Sequence, residues 1–285
     1  MRLLHFLVLA NLVTLPAFAA NREFSASYDN SSWVYNGTML ECSLRHQIPG
    51  YGLIEFKQQA GELEEGHLRL DYARSIQASL GELFFATPAN QLNNRIKDGW
   101  QFQFGDYHDG VKFSNRQVRQ ILDNLNSGLA PTIMHVDNTD RTMHIYAVVS
   151  PIMFQLSYDN YSSCVANMIP VSWAQISRSN VYFESGSTRL TDEAKQWLNY
   201  VMEYARDPAI RRVELSGFTD SVGNFRDNHE LAGSRVEIVR NYLVNAGFDE
   251  RQLRLRVFGD QRPLANNEVS QGRAKNRRVE IKMYR

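Results

Sequence analysis

The sequence predicts an α+β fold: a mainly antiparallel β domain with one helix, followed by a βαβαβαβ domain with a mixed sheet. Two observations predict it. In the first half, short segments alternate apolar and polar residues, which is the period of half-buried strands. In the second half, strand-length apolar segments alternate with amphipathic helical segments, which is typical of strands joined by helical crossovers.

A segment with the pattern of a secretory signal peptide precedes both domains. Arg2 is followed by an apolar run over residues 3–15, and the small residues Ala17 and Ala19 favour cleavage after Ala19. The residue directly after that position is not Cys, so we expect no lipid anchor there, and no later apolar run reaches membrane-spanning length. We therefore expect residues 1–19 to direct export of a chain that does not span the membrane.

The two halves differ in charge although the net charge of the chain is zero. Residues 21–176 contain 11 Lys and Arg against 16 Asp and Glu, whereas residues 177–285 contain 19 against 15, and 16 of those 19 are Arg. Planar guanidinium groups suit carboxylates and phosphates. Because no dense basic patch with interleaved aromatic residues is present, we expect no nucleic acid partner.

Cys42 and Cys164 are the two cysteines of the chain. In an oxidising compartment an even pair is expected to form a disulfide, and the alternative is two buried free thiols. By the loop-closure model, a bridge across 122 residues would remove roughly 4 to 5 kcal/mol of unfolded-state entropy.

Residues 20–157 are predicted to form the β-rich domain. Apolar or aromatic residues occupy every second position of two segments that we interpret as strands: Cys42, Leu44, His46 and Ile48, and then Trp100, Phe102 and Phe104. One helix is predicted after Ser114, because Ser114 and Gln117 form a capping box ahead of an apolar stripe and Gly128 ends it. We interpret His46 as a hydrogen-bonded core histidine.

The sequence contains little that indicates catalysis. His135, Asp137, Asp140 and His144 are near one another, but their spacing matches no standard metal-ligand motif, and a polar turn between strands explains them. No nucleophile elbow, phosphate-binding loop or dinucleotide fingerprint is present. We therefore expect no catalytic residue, no metal and no cofactor.

Residues 158–177 are predicted to be a linker, because the segment from Tyr158 to Ser163 and Pro170 are turn signals. The second domain then occupies residues 178–285. Its predicted elements are strand 180–184, helix 192–206, strand 211–216, helix 228–246, strand 254–258, helix 268–274 and strand 278–284.

Two opposite charges are placed at one end of this second domain. Asp220 follows a predicted buried strand, and Arg235 lies on the apolar stripe of the next helix. A shielded guanidinium needs an anionic or hydrogen-bonding partner, and by topology Asp220 is the nearest candidate. The pair is either a structural ion pair or a site that divides a zwitterion, with Asp220 taking an ammonium and Arg235 a carboxylate.

An ordered set of residues carries a resemblance across this domain. It includes Thr219, Asp220, Gly223, Asn228, Leu231, Arg235, Gly247, Gly259, Pro263, Gly272, Arg273, Asn276, Arg277, Arg278 and Val279. The set resembles the OmpA-like peptidoglycan-binding domain. That resemblance implies that Asp220 and Arg235 hold the diaminopimelate side chain of the wall peptide, with Thr219 and Asn228 as further contacts. The chain departs from the family at Ala232, where Ser is usual, and at Val236, where Ala is usual.

Residues 41–52, with the sequence ECSLRHQIPGYG, resemble the N-terminal domain of the MotY family of sodium-driven polar flagellar motor components. The domain order and the positions of Cys42 and Cys164 also fit that family. The resemblance implies a periplasmic protein with an assembly domain at residues 20–157, located at the flagellar basal body. It further implies a ring assembled with MotX that holds the PomA/PomB stator complex in place.

Three functions are therefore weighed. The first is a non-catalytic wall anchor joined to an assembly domain. The second is a general cell-envelope anchor of the OmpA or Pal kind, which shares the wall site. The third is a peptidoglycan hydrolase, which would need a catalytic carboxylate pair or a metal triad, and neither is found in the sequence.

Overall fold

A computed structural model describes residues 20–71, 80–87, 95–105 and 110–285. The predicted signal peptide and its cleavage site lie outside these residues. The strands are β1 Ala20–Phe24, β2 Trp33–Gly37, β3 Glu41–Ile48, β4 Gly52–Gln59, β5 Glu65–Leu70, β6 Leu80–Ala86, β7 Arg95–Gln103, β8 Val111–Phe113, β9 Ala130–Val136, β10 Met143–Val148, β11 Arg178–Tyr182, β12 Arg212–Phe218, β13 Leu253–Gly259 and β14 Arg278–Tyr284. The helices are α1 Asn115–Asn126, α2 Phe154–Ala166, α3 Trp173–Ile176, α4 Asp192–Ala205, α5 Phe225–Asn245 and α6 Ser270–Asn276. Each of these helices is too short or too polar to cross a membrane.

The strands form three sheets, and the α+β prediction is confirmed. The first sheet has the order β1-β10-β9-β6-β7, in which only β1 and β10 are parallel. The second has the order β2-β3-β4-β5-β8. Helix α1 begins after Ser114 with the predicted capping box to Gln117, and its buried residues are those of the apolar stripe together with Asn124. The local pattern was sufficient here because a capped amphipathic helix is specified by neighbouring residues.

The third sheet is mixed, as predicted, and has the order β11-β14-β12-β13. Strands β12 and β13 are parallel, and β14 is antiparallel to both of its neighbours. Residues from β11, β12 and β14 that point to one face form a core with α4 and α5. That core includes Val181, Phe183, Leu198, Val201, Val213, Leu215, Val239, Leu243, Val279 and Ile281.

The described residues form two compact units, one of residues 20–33, 45–55 and 66–155 and one of residues 34–44, 56–65 and 156–285. The turn predicted from Tyr158 to Ser163 was wrong, because α2 covers it. Tyr161 is buried in the second unit, and its hydroxyl lies 2.5 Å from Glu64 Oε1. A disulfide joins Cys42 to Cys164 in the same unit, with the two Cα atoms 6.1 Å apart. Tertiary contacts therefore hold a helix on a sequence rich in turn residues.

His46 is buried in the first unit, as expected. Its Nδ1 lies 2.9 Å from the Ser32 carbonyl, and its Nε2 accepts a hydrogen bond of 3.4 Å from the Ser150 N–H. The ring stacks on Trp33 with 4.7 Å between centroids. Because one nitrogen donates and the other accepts, the neutral ring satisfies both partners, and burial lowers the pKa of His46.

Candidate binding site at the end of strand β12

The site is built around the close approach of α5 to β12. A Cβ added at Gly217 would lie 2.5 Å from the Ala232 carbonyl oxygen and 2.6 Å from Val236 Cγ2. Glycine at this position therefore allows the helix to pack directly on the strand. Ala232 and Val236, the two departures from the OmpA-like pattern, both lie at this contact and are buried.

Helix α5 begins three residues before the predicted start. Asn224 is its N-cap and accepts a hydrogen bond of 3.0 Å from the Asp227 N–H. This start places Asn228 in the first turn and Arg235 two turns later, and both side chains are buried. The helix thus carries two polar side chains toward the end of β12.

Arg235 is fully buried and is bound mainly by backbone oxygens. Its Nε donates to the Ser187 carbonyl at 2.9 Å, Nη1 to the Phe218 carbonyl at 3.2 Å and Nη2 to the Glu184 carbonyl at 3.0 Å. The guanidinium also lies over the Phe183 ring, 5.1 Å from its centroid. Burial lowers the pKa of Arg235 to about 10, and the nearby Asp220 partly opposes that shift.

Asp220 forms its ion pair with a different arginine. The carboxylate Oδ2 accepts a hydrogen bond of 2.9 Å from Arg277 Nη1, and Oδ1 accepts one of 3.2 Å from the Val222 N–H. Of the two alternatives left open by the sequence, the structural ion pair between Asp220 and Arg235 is therefore not the pair that forms. The strand register provides the reason: Gly217 lies opposite Val279, so residues just before β14 meet residues just after β12.

Arg277 is the residue of this cluster that was not assigned to the site from the sequence. Its Nε donates to the Phe183 carbonyl at 3.0 Å, so it ties the end of β11 to Asp220. The adjacent Asn276 is fully buried and fixes the preceding loop: Oδ1 accepts from the Leu264 and Ala265 N–H groups at 2.7 and 2.9 Å. The sequence signal that could have identified Arg277 is its position directly before the last predicted strand, within the OmpA-like set of residues.

Thr219 and Asn228 bring hydrogen-bonding atoms that have no partner among the described residues. Thr219 Oγ1 and Asn228 Nδ2 are both buried and make no hydrogen bond. The Thr219 N–H donates to the Gly259 carbonyl at 2.7 Å, and a Cβ at Gly259 would lie 3.5 Å from the Asn228 carbonyl carbon. Gly259 therefore borders both residues. Buried polar atoms without partners are uncommon in native proteins and call for an explanation.

The chemistry of the cluster is that of a recognition site for a charged polar group. Asp220 offers carboxylate lone pairs, whereas Asn228 Nδ2 and the Thr219 hydroxyl offer hydrogen-bond donors. Arg235 uses three of its five N–H groups on carbonyls, which leaves one hydrogen on each of its terminal nitrogens. Among the described residues, no group of three His, Cys, Asp or Glu side chains is arranged to hold a metal ion.

Comparison with known sequences now identifies the family. Residues 24–170, more than half of the chain, match the sequence model of the MotY N-terminal domain. The chain belongs to the MotY family. Residues 182–277 of this MotY family member match the model of the OmpA family, and that range contains every residue of the site described above.

Relatives of this MotY family member cover either the whole chain or the second domain alone. The sodium-type flagellar protein MotY of Vibrio parahaemolyticus is 27% identical over 98% of this chain and 96% of its own length. The peptidoglycan-associated lipoprotein of Pseudomonas aeruginosa is 39% identical over 35% of this chain and 60% of its own. The C-terminal domain of Helicobacter pylori MotB is a similar solved structure, with a TM-score of 0.35, 26% identity and coverage of 37% of this chain and 84% of that domain.

Proposed function

We propose that the chain is a non-catalytic periplasmic component of the sodium-driven flagellar motor that binds peptidoglycan through its second domain. Membership of the MotY family supports the motor context, and the match to the OmpA family supports the wall-binding part. The similar sodium-type flagellar protein MotY is consistent with the motor context, and the similar peptidoglycan-associated lipoprotein is consistent with wall binding. The domain division into residues 20–157 and 178–285 is part of this proposal.

One observation carries the assignment of the wall site. Two buried hydrogen-bonding atoms have no partner among the described residues: Thr219 Oγ1, on the residue before Asp220 at the end of β12, and Asn228 Nδ2, in the first turn of α5. Leaving a buried polar group unsatisfied costs about 1 to 3 kcal/mol. A ligand that supplies the missing partners recovers that free energy on binding, so the cluster favours a bound state.

The ligand that fits these groups carries an ammonium and a carboxylate on one carbon, as diaminopimelate does. Its ammonium would bind Asp220 through a charge-assisted hydrogen bond. Its carboxylate would accept from Asn228 Nδ2 and from the N–H groups of Arg235 that the carbonyls leave unused. Arg277 neutralises part of the Asp220 charge in the free site, so the ligand ammonium competes with Arg277 for the same carboxylate.

Binding to isolated sacculi tests the site. We expect Asp220→Asn and Thr219→Val each to weaken sacculus binding by about tenfold or more, because each removes one polar contact and little volume. Glu237→Gln is the matched control, because Glu237 is an exposed residue of α5 in the same domain and the change also removes one negative charge. Unchanged binding by a folded Asp220→Asn, Thr219→Val double variant would refute the site.

The motor assignment needs a second experiment. We propose that the first domain helps to form a ring at the basal body with MotX, and that this ring anchors the PomA/PomB stators. A deletion strain should then stop swimming while its filaments still assemble, and the wild-type chain should restore swimming. Normal swimming with a leaky envelope would instead favour the alternative function, a general OmpA- or Pal-like anchor.

A further inference from the structure

Strand β11 is an edge of the third sheet, and its outer side is unpaired. The Phe183 N–H donates to the Arg277 carbonyl and the Met283 N–H to the Ser177 carbonyl, both at 2.9 Å. Odd-numbered residues therefore direct their backbone groups toward β14. The N–H and C=O groups of Arg178, Asn180 and Tyr182 point away from it, where no strand of the described chain pairs.

A groove of about 520 Å³ runs along this edge, between β11 and the first turns of α4. All five residues of β11 line it, together with Glu193 and Trp197 of α4. The groove leaves this edge accessible between β11 and α4, and no strand among the described residues pairs with it. An uncovered edge is a template for pairing with another strand.

Three side chains at the groove have buried polar atoms without partners. Ser179 Oγ, Asn180 Oδ1 and Trp197 Nε1 are buried and make no hydrogen bond among the described residues. Ser179 is 5% exposed, whereas Tyr182 is 46% exposed at the end of the same strand. Polar side chains therefore lie next to the backbone edge, and buried polar atoms without partners are uncommon in native proteins.

We propose that this edge pairs with the β11 strand of a second copy of the chain in antiparallel orientation. The outward positions 178, 180 and 182 are symmetric about Asn180, so a twofold axis places Asn180 opposite Asn180 of the second copy. Arg178 then lies opposite Tyr182 of the second copy, and Tyr182 lies opposite Arg178 of the second copy. The pairing extends two four-stranded sheets into one continuous sheet.

Side-chain complementarity favours a second copy over an unrelated strand. The Asn180 side-chain amide meets the amide of the opposing Asn180, and each amide has both a donor and an acceptor. Arg178 meets an aromatic ring rather than another cation, and the chain already places Arg212 4.2 Å from the ring centroid of Tyr284. Like charges directly opposite each other would destabilise a cross-strand pair, and this register places none at positions 178, 180 and 182.

Charge at the ends of the groove is complementary as well. Glu193 lines a second pocket together with Glu184, two residues beyond Tyr182, so Glu193 lies toward the Tyr182 end of β11. Antiparallel pairing brings Arg178 of the second copy to the same end. Because two short strands cover less area than a standard interface of about 1,600 Å², we expect a weak dimer that depends on concentration.

Cysteine cross-linking of the exported chain tests the register. Cα atoms of a hydrogen-bonded antiparallel pair lie about 5.5 Å apart, within the range of a disulfide, so Asn180→Cys should cross-link to itself. The matched control is Tyr182→Cys, whose two copies would be separated by roughly 13 Å along the strand direction and should not cross-link. A mixture of Arg178→Cys and Tyr182→Cys chains should cross-link, although neither does so alone.

Equilibrium measurements test the interface without a new cysteine. Sedimentation should show the dimer for the wild type, and Asn180→Asp should weaken it by about tenfold because two carboxylates then face each other. Mixing Asn180→Asp with Asn180→Lys chains should restore it. A synthetic peptide of residues 176–184 should compete with the dimer.

Three results would overturn the proposal. The first is a wild-type chain that stays monomeric while Asn180→Cys cross-links no more than Tyr182→Cys. The second is a dimer whose association Asn180→Asp leaves unchanged, because a different surface would then hold it. The third is binding of the synthetic peptide by a chain that itself remains monomeric, because the edge would then serve a strand of another protein.

Discussion

Replacing Arg235 by Lys should unfold the second unit more readily, and the structure sets the size of the effect. The guanidinium holds three carbonyls, those of Ser187, Phe218 and Glu184, at 2.9 to 3.2 Å. A lysine ammonium is a compact donor on one stem and cannot reach all three oxygens together. If two carbonyls lose their partner at about 1 to 2 kcal/mol each, the free energy of unfolding falls by about 2 to 4 kcal/mol.

Hydrogen exchange of β12 and α5 across a urea series is the suitable assay, because it reports the second unit separately from the first. The matched control is Arg240→Lys on the same helix. Arg240 pairs with Glu250 and Glu237 at the surface, where such pairs contribute about 1 kcal/mol or less. An Arg235→Lys chain that is as stable as Arg240→Lys would refute the view that Arg235 holds the site together.

Three further predictions follow from the same contacts. Asp220→Asn should lower sacculus affinity by about tenfold or more. Its melting temperature should fall less than that of Arg235→Lys, because Asn keeps the size of the side chain. A loss of melting temperature as large as that of Arg235→Lys would indicate that Asp220 belongs to a structural ion pair. Cys42→Ser should lower the steady-state level of the chain in cells through faster proteolysis, and an unchanged level would contradict a stabilising disulfide. Burial lowers the pKa of His46 below the unfolded value of about 6.5. As the pH falls, the unfolded chain therefore takes up a proton at His46 before the folded chain does. The first unit should therefore lose stability as the pH falls from 7 toward 5. His46→Gln should make the free energy of unfolding of this unit, measured by hydrogen exchange, depend less on pH.

The parts of the fold that were predicted correctly are those that neighbouring residues specify. Helix α1 carries its own capping box, and the alternation of strands and helices in the second domain follows from hydrophobic period and length. The turn expected at residues 158–163 was wrong for the opposite reason. Helix α2 is held by the burial of Tyr161 and by the disulfide at Cys164, which are contacts with distant segments.

The candidate site shows the same limit. Proximity of Asp220 and Arg235 to the end of β12 followed from topology, but their partners did not. Arg235 is satisfied by carbonyls of the segment after β11, and Asp220 by Arg277 from the start of β14. Both partners depend on strand order and register in the mixed sheet, which a hydrophobic pattern does not contain.

Hydrogen-bond satisfaction separates the residues of the OmpA-like signature into two groups. The side chains of Arg235 and Asn276 form hydrogen bonds with backbone groups of the protein, so their main role is to stabilise the loops. Thr219 and Asn228 keep buried polar atoms that nothing in the described chain satisfies. A signature in sequence does not distinguish these groups, because both kinds of residue are polar and regularly spaced. The distinction has a consequence for mutagenesis: loss of binding at Arg235 reports the ligand only in a chain shown to be folded, whereas loss of binding at Thr219 reports it directly.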